Sequence, residues 1–98
     1  LPPFGRLAGL IVSGEDKAAA ASHAAALSRA APRAEGVRVL GPAEAPMSLV
    51  RGRHRFRLLA RASRGFDLSR YVRQWLGAGP KARGSVRVSV DMDPVSFF

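Results

Sequence analysis

Arginines in the middle of the chain recur at alternate positions, and this spacing indicates their chemistry. The segment RGRHRFR places Arg51, Arg53, Arg55 and Arg57 two residues apart. Successive side chains of a β-strand point to opposite faces, so these four would project from one face. A guanidinium group stays charged and offers a planar fork of donors that matches phosphate oxygens. The pattern therefore predicts a surface that binds anions, with the backbone of nucleic acid as the best match.

The excess of positive charge extends well beyond this segment. Residues 51–73 contain eight arginines and one acid, Asp67, and the whole chain carries a net charge of +9. The alternative is a solvated strand face kept soluble by charge, but acidic residues would serve that purpose equally well. Such a field is typical of proteins that bind nucleic acid, anionic lipid or acidic protein segments. The predicted DNA-binding residues are Arg51, Arg53, Arg55, Arg57, Arg61 and Arg87, which Arg38 could join from a neighbouring strand.

Catalytic and metal-binding patterns are weak in this sequence. The absence of cysteine excludes a disulfide framework, a thiolate zinc site and a cysteine nucleophile. His23 and His54 lack metal-ligand spacing and are interpreted as structural or surface residues. Asp91 and Asp93 fit the end of a strand and an Asp-Pro turn better than a magnesium site. No glycine loop is followed by the lysine and hydroxyl of a nucleotide-binding motif. We therefore expect no catalytic residue, metal or cofactor in this chain.

Six secondary-structure elements are predicted to position these side chains. Alternating apolar residues indicate strands. Two aspartates, Asp16 and Asp67, stand where helix N-caps are expected, and proline or glycine follows each helical segment. The second helix carries an apolar stripe at helical spacing, which includes Tyr71 and Trp75 and predicts that both are core residues. The predicted strands are 7–13, 37–40, 54–62 and 86–92, the helices are 17–31 and 68–76, 42–50 is a loop, and 51–52 is a turn.

The element order βαββαβ predicts an α+β fold. It is typical of the ferredoxin-like, ribosomal-protein-like sandwich, a four-stranded antiparallel sheet with two helices on one face. The first and third strands should then lie in the centre of the sheet. Phe56 and Leu58 would face the helices, whereas the arginines of the same strand would lie on the opposite face. With 98 residues, 1–98 is predicted to be a single domain, cut from a longer protein.

Four segments of the chain resemble a known family. They are the opening LPPFGRLAGLIVSG, the pair VLGPAEAP and RGRHRFRLL, and the closing VDMDP. In this order they are similar to the C-terminal domain of the replication-restart DNA helicase PriA, primosomal protein N′. The resemblance covers essentially the whole chain. The pair in the middle and the closing segment are its most specific parts.

The resemblance implies a function without catalysis. Members of this family bind single-stranded or duplex DNA with little sequence preference. They help the helicase to engage fork-like structures. The parent enzyme unwinds DNA 3′ to 5′ with ATP and Mg²⁺ and carries Zn²⁺, all in other domains. This chain should therefore hold none of these cofactors and should act in primosome assembly as an accessory domain. The implied location is the bacterial cytoplasm, near the nucleoid, with no membrane partner.

A second partner follows from the same resemblance. The family contacts the acidic, phenylalanine-ending tail of single-stranded DNA-binding protein, in a pocket shared with the helicase lobes. A basic residue near the start of the second helix contributes, so Arg64, Arg70 and Arg73 are the candidates here. The alternative function is therefore a protein-docking module that binds this tail or the helicase lobes. The fold alone would also suit a ribosomal-type RNA-binding protein. Phe97 and Phe98 would pack on a neighbouring domain or form an ordered tail.

Overall fold

The backbone follows the predicted βαββαβ order. A computed structural model describes residues 5–93, so Phe97 and Phe98 lie outside the described residues. The α+β fold class is confirmed. The elements are β1 (Gly5–Gly14), α1 (Lys17–Ala30), β2 (Val37–Val50), β3 (Arg53–Ser63), α2 (Leu68–Ala78) and β4 (Arg87–Met92).

The four strands form one antiparallel sheet in the order β2-β3-β1-β4. The prediction that the first and third strands are central is confirmed. Both helices pack on one face of this sheet, because the buried side chains of α1 and α2 share one core with alternate residues of β1 and β3. The opposite side of the sheet, hereafter the open face, has no helix of the described chain against it.

The core lies between the helices and the sheet. Leu10 and Leu58 pair across β1 and β3 and are both fully buried. Helix α1 contributes mainly alanines, whose small side chains let it lie close to the sheet. Trp75 is fully buried, and its indole N–H donates to the carbonyl of Leu27 at 2.8 Å. The predictions that Tyr71 and Trp75 are core residues, and that Phe56 faces away from the arginines, are confirmed.

Aspartate caps start both helices, as predicted. The carboxylate of Asp16 accepts a hydrogen bond from the N–H of Ala18 at 3.0 Å. The carboxylate of Asp67 accepts one from the N–H of Arg70 at 3.1 Å. Each cap satisfies a backbone donor that the first helical turn leaves unpaired.

The predicted end of the second strand was wrong. The strand was expected to end at residue 40 before a loop, but β2 continues to Val50. Two irregularities in the pairing with β3 allow β2 to continue. From Leu40 to Ala43, β2 advances three residues while β3 advances two, and a larger shift in register follows between Glu44 and Leu49. Gly41 adopts a φ of 100° at the first irregularity. A proline is tolerated in a strand at an edge or a bulge, and Pro42 stands at both.

A two-residue turn joins β2 to β3, as predicted. Val50 and Arg53 are paired, and the residues between them both have positive φ, 52° at Arg51 and 76° at Gly52. Positive φ at both central positions defines the type I′ turn, which matches the twist of the strands that it connects. Arg51 is therefore held at the exposed tip of this hairpin.

Hydrogen bonds and an ion pair join the start of β1 to the residue that follows β4. The N–H of Asp93 donates to the carbonyl of Leu7 at 2.6 Å, and its carboxylate accepts from the guanidinium of Arg6 at 2.9 Å. The carboxylate also accepts from the N–H of Leu7 at 3.2 Å. These bonds to Arg6 and Leu7 hold the pKa of Asp93 below its ordinary value. The placement of Asp93 directly after β4 agrees with its interpretation as a strand-end residue.

Candidate nucleic-acid interface

The alternate arginines of β3 lie on the open face. Leu58 and Ala60, which alternate with them, are fully buried under the helices, so Arg57 and Arg61 project from the other side. Arg55 also lies on this side and pairs with Ser13 of β1, which pairs in turn with Arg87 of β4. Arg55 and Arg87 therefore flank β1 with their Cα atoms about 10 Å apart, the width of two strand spacings.

Arg53 differs from its neighbours because its donors are used within the domain. Its Nε donates to the hydroxyl of Ser13 at 3.2 Å, and its Nη2 donates to the carbonyl of Ser13 at 3.0 Å. The same Nη2 also donates to the carbonyl of Ser85. The side chain thus ties the start of β3 to the end of β1 and to the segment before β4. Arg53 shares the sequence spacing of the other arginines but holds strands together in this structure.

Arg38 and Arg61 face each other across β2 and β3. They are Cα partners, both are exposed, and both lie on the open face. The salt bridges within residues 5–93 join Arg6 to Asp93 and Lys17 to Glu44, so neither arginine of this pair has a carboxylate partner there. Like charges directly opposite on a sheet repel each other. An anion bound between the two guanidinium groups would remove that repulsion.

Arg55 makes one weakly constraining contact on the same side. Its Nη1 donates to the carbonyl of Met47 at 3.1 Å in an exposed position. A guanidinium group has five N–H donors, so others remain for a ligand. Of the predicted DNA-binding residues, the structure therefore brings Arg55, Arg57, Arg61 and Arg87 together on the open face. It leaves Arg51 at the hairpin tip and gives Arg53 an internal role.

Of the three tail-binding candidates, Arg70 lines a pocket beside α2. Arg70, on the first turns of α2, contributes to a pocket of about 320 Å³ beside the segment that follows α1. Arg64 and Arg73 are exposed but are not among its lining residues. Arg33 lies on its other side and was missed by sequence reasoning, because nothing local in the sequence indicates that the residue after Pro32 approaches α2.

Aromatic side chains form part of the same pocket. Phe66 and Tyr71 both line it, and their rings meet edge to face with centroids 5.7 Å apart. The hydroxyl of Tyr71 donates to the carbonyl of Pro32 at 2.6 Å, which fixes the segment carrying Arg33 against α2. Burial raises the pKa of Tyr71 above its ordinary value. The pocket therefore combines two guanidinium groups and the carboxylate of Asp67 with an aromatic wall.

The histidines are separated in the fold. His23 lies on α1 beside a groove whose other wall carries Lys81 and Arg83, and burial lowers the pKa of its imidazole. His54 lies on β3 and pairs with Gly14 of β1. Residues 5–93 contain no group of three histidine or acidic side chains placed to hold a metal ion. Within the same range, neither helix is long and apolar enough to cross a membrane.

An antiparallel sheet with both helices on one face and arginines on the other defines a basic ferredoxin-like α+β domain. The model of the primosomal protein N C-terminal domain family matches residues 1–95. The chain belongs to this family, and the predicted resemblance is confirmed.

Curated relatives agree with this assignment. Over all 98 residues the chain is 37% identical to the replication restart protein PriA of Rickettsia felis and 37% identical to that of Rickettsia conorii. It is 36% identical to the replication restart protein PriA of Rickettsia prowazekii. The chain spans about 15% of the length of each of these relatives.

Proposed function

We propose that this domain is a non-catalytic DNA-binding module that serves replication restart. The observation that carries the proposal is the open face, where Arg38 and Arg61 stand opposite each other and neither forms a salt bridge with a carboxylate of residues 5–93. Phosphates of the DNA backbone supply the missing negative charge. The binding is independent of base sequence, because phosphate contacts position a protein without reading bases.

The wider charge distribution supports the same function. The net charge of +9 attracts a polyanion, and the arginines of β3 and β4 present guanidinium groups from the two strands that flank β1. Branched, fork-like DNA is the proposed target, and the bacterial cytoplasm at the nucleoid is the proposed location. ATP, Mg²⁺ and Zn²⁺ are proposed to be bound by other parts of a longer protein. Its contact with helicase lobes is part of the same proposal.

The salt dependence of DNA binding tests the proposal. If about four phosphates are neutralised on duplex, log K against log salt should have a slope near −3.6. The double substitution Arg57→Ala and Arg61→Ala should flatten this slope by about 2 units, because each lost phosphate contact removes about 0.9. Fluorescence anisotropy of the chain with labelled duplex and forked DNA, titrated at several salt concentrations, measures the slope.

A matched control removes the same charge elsewhere. Arg29 and Arg73 are exposed on the two helices, on the other side of the sheet. The double substitution of these two residues to alanine should change the slope by less than half a unit. Equal slopes for the two double variants would overturn the proposal, because binding would then depend on net charge rather than on the open face.

The pocket beside α2 favours a second function, docking of an acidic protein tail. Arg33 and Arg70 offer donors for carboxylates, and Phe66 and Tyr71 offer an aromatic surface. A peptide that is acidic and ends in phenylalanine matches both features. The tail of single-stranded DNA-binding protein has this chemistry.

Peptide binding tests the second function. Arg70→Ala should weaken binding of a labelled acidic peptide ending in phenylalanine by about tenfold or more, since hydrogen bonds to charged groups contribute about 1.5–3 kcal/mol. Arg33→Ala should act in the same direction. Arg73→Ala, on the same helix but outside the pocket, is the control and should leave the affinity within twofold. If Arg70→Ala and Arg73→Ala behave alike, the pocket is not the docking site.

A further inference from the structure

The two edges of the sheet differ in how well they are protected against pairing with a further strand. β2 forms one edge and carries Pro42, Pro46 and two shifts of register, all of which hinder the addition of a strand. β4 forms the other edge and pairs with β1 in continuous register from Arg87 to Met92. It contains no proline, and no strand of residues 5–93 lies on its outer side. The outer edge of β4 can therefore accept a strand from another chain.

The register of β4 determines which of its backbone groups point to this outer edge. The N–H of Asp93 donates to the carbonyl of Leu7, which precedes the paired part of β1. In an antiparallel ladder every second residue bonds to the same neighbour, so the odd-numbered residues of β4 direct their backbone groups to β1. Val88 and Val90 alternate with them and direct their backbone groups outward. Each offers one donor and one acceptor to an added strand.

The side chains of β4 make the strand complementary to a second copy of itself. The order along this segment is Val86, Arg87, Val88, Ser89, Val90, Asp91 and Met92. In an antiparallel pair centred on Ser89, Arg87 of each copy lies opposite Asp91 of the other, which gives two ion pairs. Val88 of each copy lies opposite Val90 of the other, so the valines meet and their outward-pointing backbone groups exchange hydrogen bonds.

Exposure and charge on β4 also fit a second copy. Val90 pairs with the fully buried Leu10 of β1, yet Val90 itself is 40% exposed. A valine of a second copy would cover it, and burial of apolar surface is favourable. Arg87 and Asp91 are exposed, and neither takes part in the salt bridges within residues 5–93. Because their charges cancel, β4 has no net charge in a chain of net charge +9.

We infer that the chain forms a symmetric dimer through antiparallel pairing of β4 with β4 of a second copy. A two-fold axis at the Ser89 pair makes the same residues serve on both sides of the interface. The two sheets become one sheet of eight strands, with all four helices on the same side. The contact is a single pair of short strands, so the dimer should be weak. This inference goes beyond the proposed function and does not depend on it.

Sedimentation velocity tests for the dimer over chain concentrations from about 10 μM to about 1 mM, the range in which a small interface associates. The mass of the unaltered chain should rise from that of one chain towards that of two. Arg87→Asp places two carboxylates opposite each other at both ion-pair positions and should weaken association about tenfold or more. Asp91→Arg should have the same effect through two guanidinium groups. An unaltered chain that stays monomeric throughout this range would overturn the inference.

A mixture of the two variants gives the sharpest test. Arg87→Asp in one chain and Asp91→Arg in the other restore an acid opposite a base at both positions. The mixture should therefore dimerise about as strongly as the unaltered chain, although neither variant does so alone. A mixture that associates no better than either variant would contradict the pairing of β4 with itself.

A matched control changes the same charge at the other edge of the sheet. Arg29 is exposed on α1 and follows Ser28, whose hydroxyl donates to the carbonyl of Gly41 on β2. Arg29→Asp should not weaken association. If it weakens association as much as Arg87→Asp, self-association depends on overall charge and the inference fails.

Amide hydrogen exchange, followed by NMR, needs no variant. The amide protons of Val88 and Val90 point to the outer edge, so their exchange should slow as the chain concentration rises. The amide proton of Ser89 points to β1 and should be protected equally at every concentration. If exchange at Val88 and Val90 does not depend on concentration while the chain self-associates, the contact lies elsewhere and the inference is wrong.

Discussion

Replacing Trp75 by alanine should lower the free energy of unfolding by about 3–5 kcal/mol. The side chain is fully buried among residues of both helices and the sheet, so its removal leaves a large cavity and loses apolar burial. Small domains are stable by about 5–15 kcal/mol in total, so this one substitution should bring the protein close to unfolding at ambient temperature. Since Trp75 is the only tryptophan, urea unfolding followed by circular dichroism is the suitable measurement.

Two further variants separate the contribution of apolar burial at Trp75 from that of its hydrogen bond to Leu27. Trp75→Phe keeps most of the apolar surface but leaves the carbonyl of Leu27 without its donor, at a cost of about 1–3 kcal/mol. Leu76→Ala, at the neighbouring exposed position of α2, is the control and should cost less than about 1 kcal/mol. A phenylalanine variant as stable as the parent would show that the hydrogen bond to Leu27 contributes nothing. An alanine variant no worse than the control would contradict the packing described here.

Replacing Gly41 by alanine should be the second most damaging change. Its φ of 100° is unfavourable for a residue with a side chain, and an added Cβ would lie 2.8 Å from the carbonyl oxygen of Arg57. Strain of this kind costs about 1–3 kcal/mol, and the clash with backbone adds to it because a carbonyl cannot move away like a flexible side chain. We therefore expect the free energy of unfolding, measured in urea, to fall by about 2–4 kcal/mol.

Two other glycines provide matched controls for this variant. Gly52 also has positive φ, 76°, but an added Cβ there would meet nothing within 4 Å, so Gly52→Ala reports the conformational strain alone. Gly77 lies in α2 with equally open surroundings, and Gly77→Ala should raise stability by about 0.5–1 kcal/mol. If Gly41→Ala is no more destabilised than Gly52→Ala, the bulge adjusts to the side chain and the close approach to Arg57 is unimportant.

Much of the fold could be predicted because its signals are local. The caps at Asp16 and Asp67 act on backbone groups two and three residues away. The alternation along β3 and the apolar stripe of α2 each report burial on one face of one element. Once these elements are in order, the handedness of the crossovers leaves few topologies, so the strand order also followed.

The extension of β2 could not be predicted from local signals. Gly41 and Pro42 ordinarily mark the end of a strand, and they are acceptable here only because β2 is at the edge of the sheet and bulges at that point. Whether a strand is at an edge is a property of the whole fold. The sequence pattern therefore indicated a loop where the structure has a strand.

Local sequence patterns predicted the placement of some functional residues, whereas the placement of others depends on tertiary contacts. The alternate spacing of the arginines predicted a common face, and Arg55, Arg57 and Arg61 share it. The same spacing could not distinguish Arg53, whose partners Ser13 and Ser85 are distant in sequence. Arg33 joined Arg70 at a pocket only through the contact between Tyr71 and Pro32. Tertiary contacts thus gave Arg53 an internal role and placed Arg33 at the pocket.

The bonds that join the start of β1 to Asp93 after β4 have a mechanical consequence. These strands are antiparallel, and Gly5 and Asp93 lie at the same end of their ladder. A pulling force applied between these two positions would load the backbone hydrogen bonds one after another rather than all together. The domain should therefore open like a zipper in this direction, with β4 peeling from the sheet first. The ion pair between Arg6 and Asp93 is the first bond to bear that load.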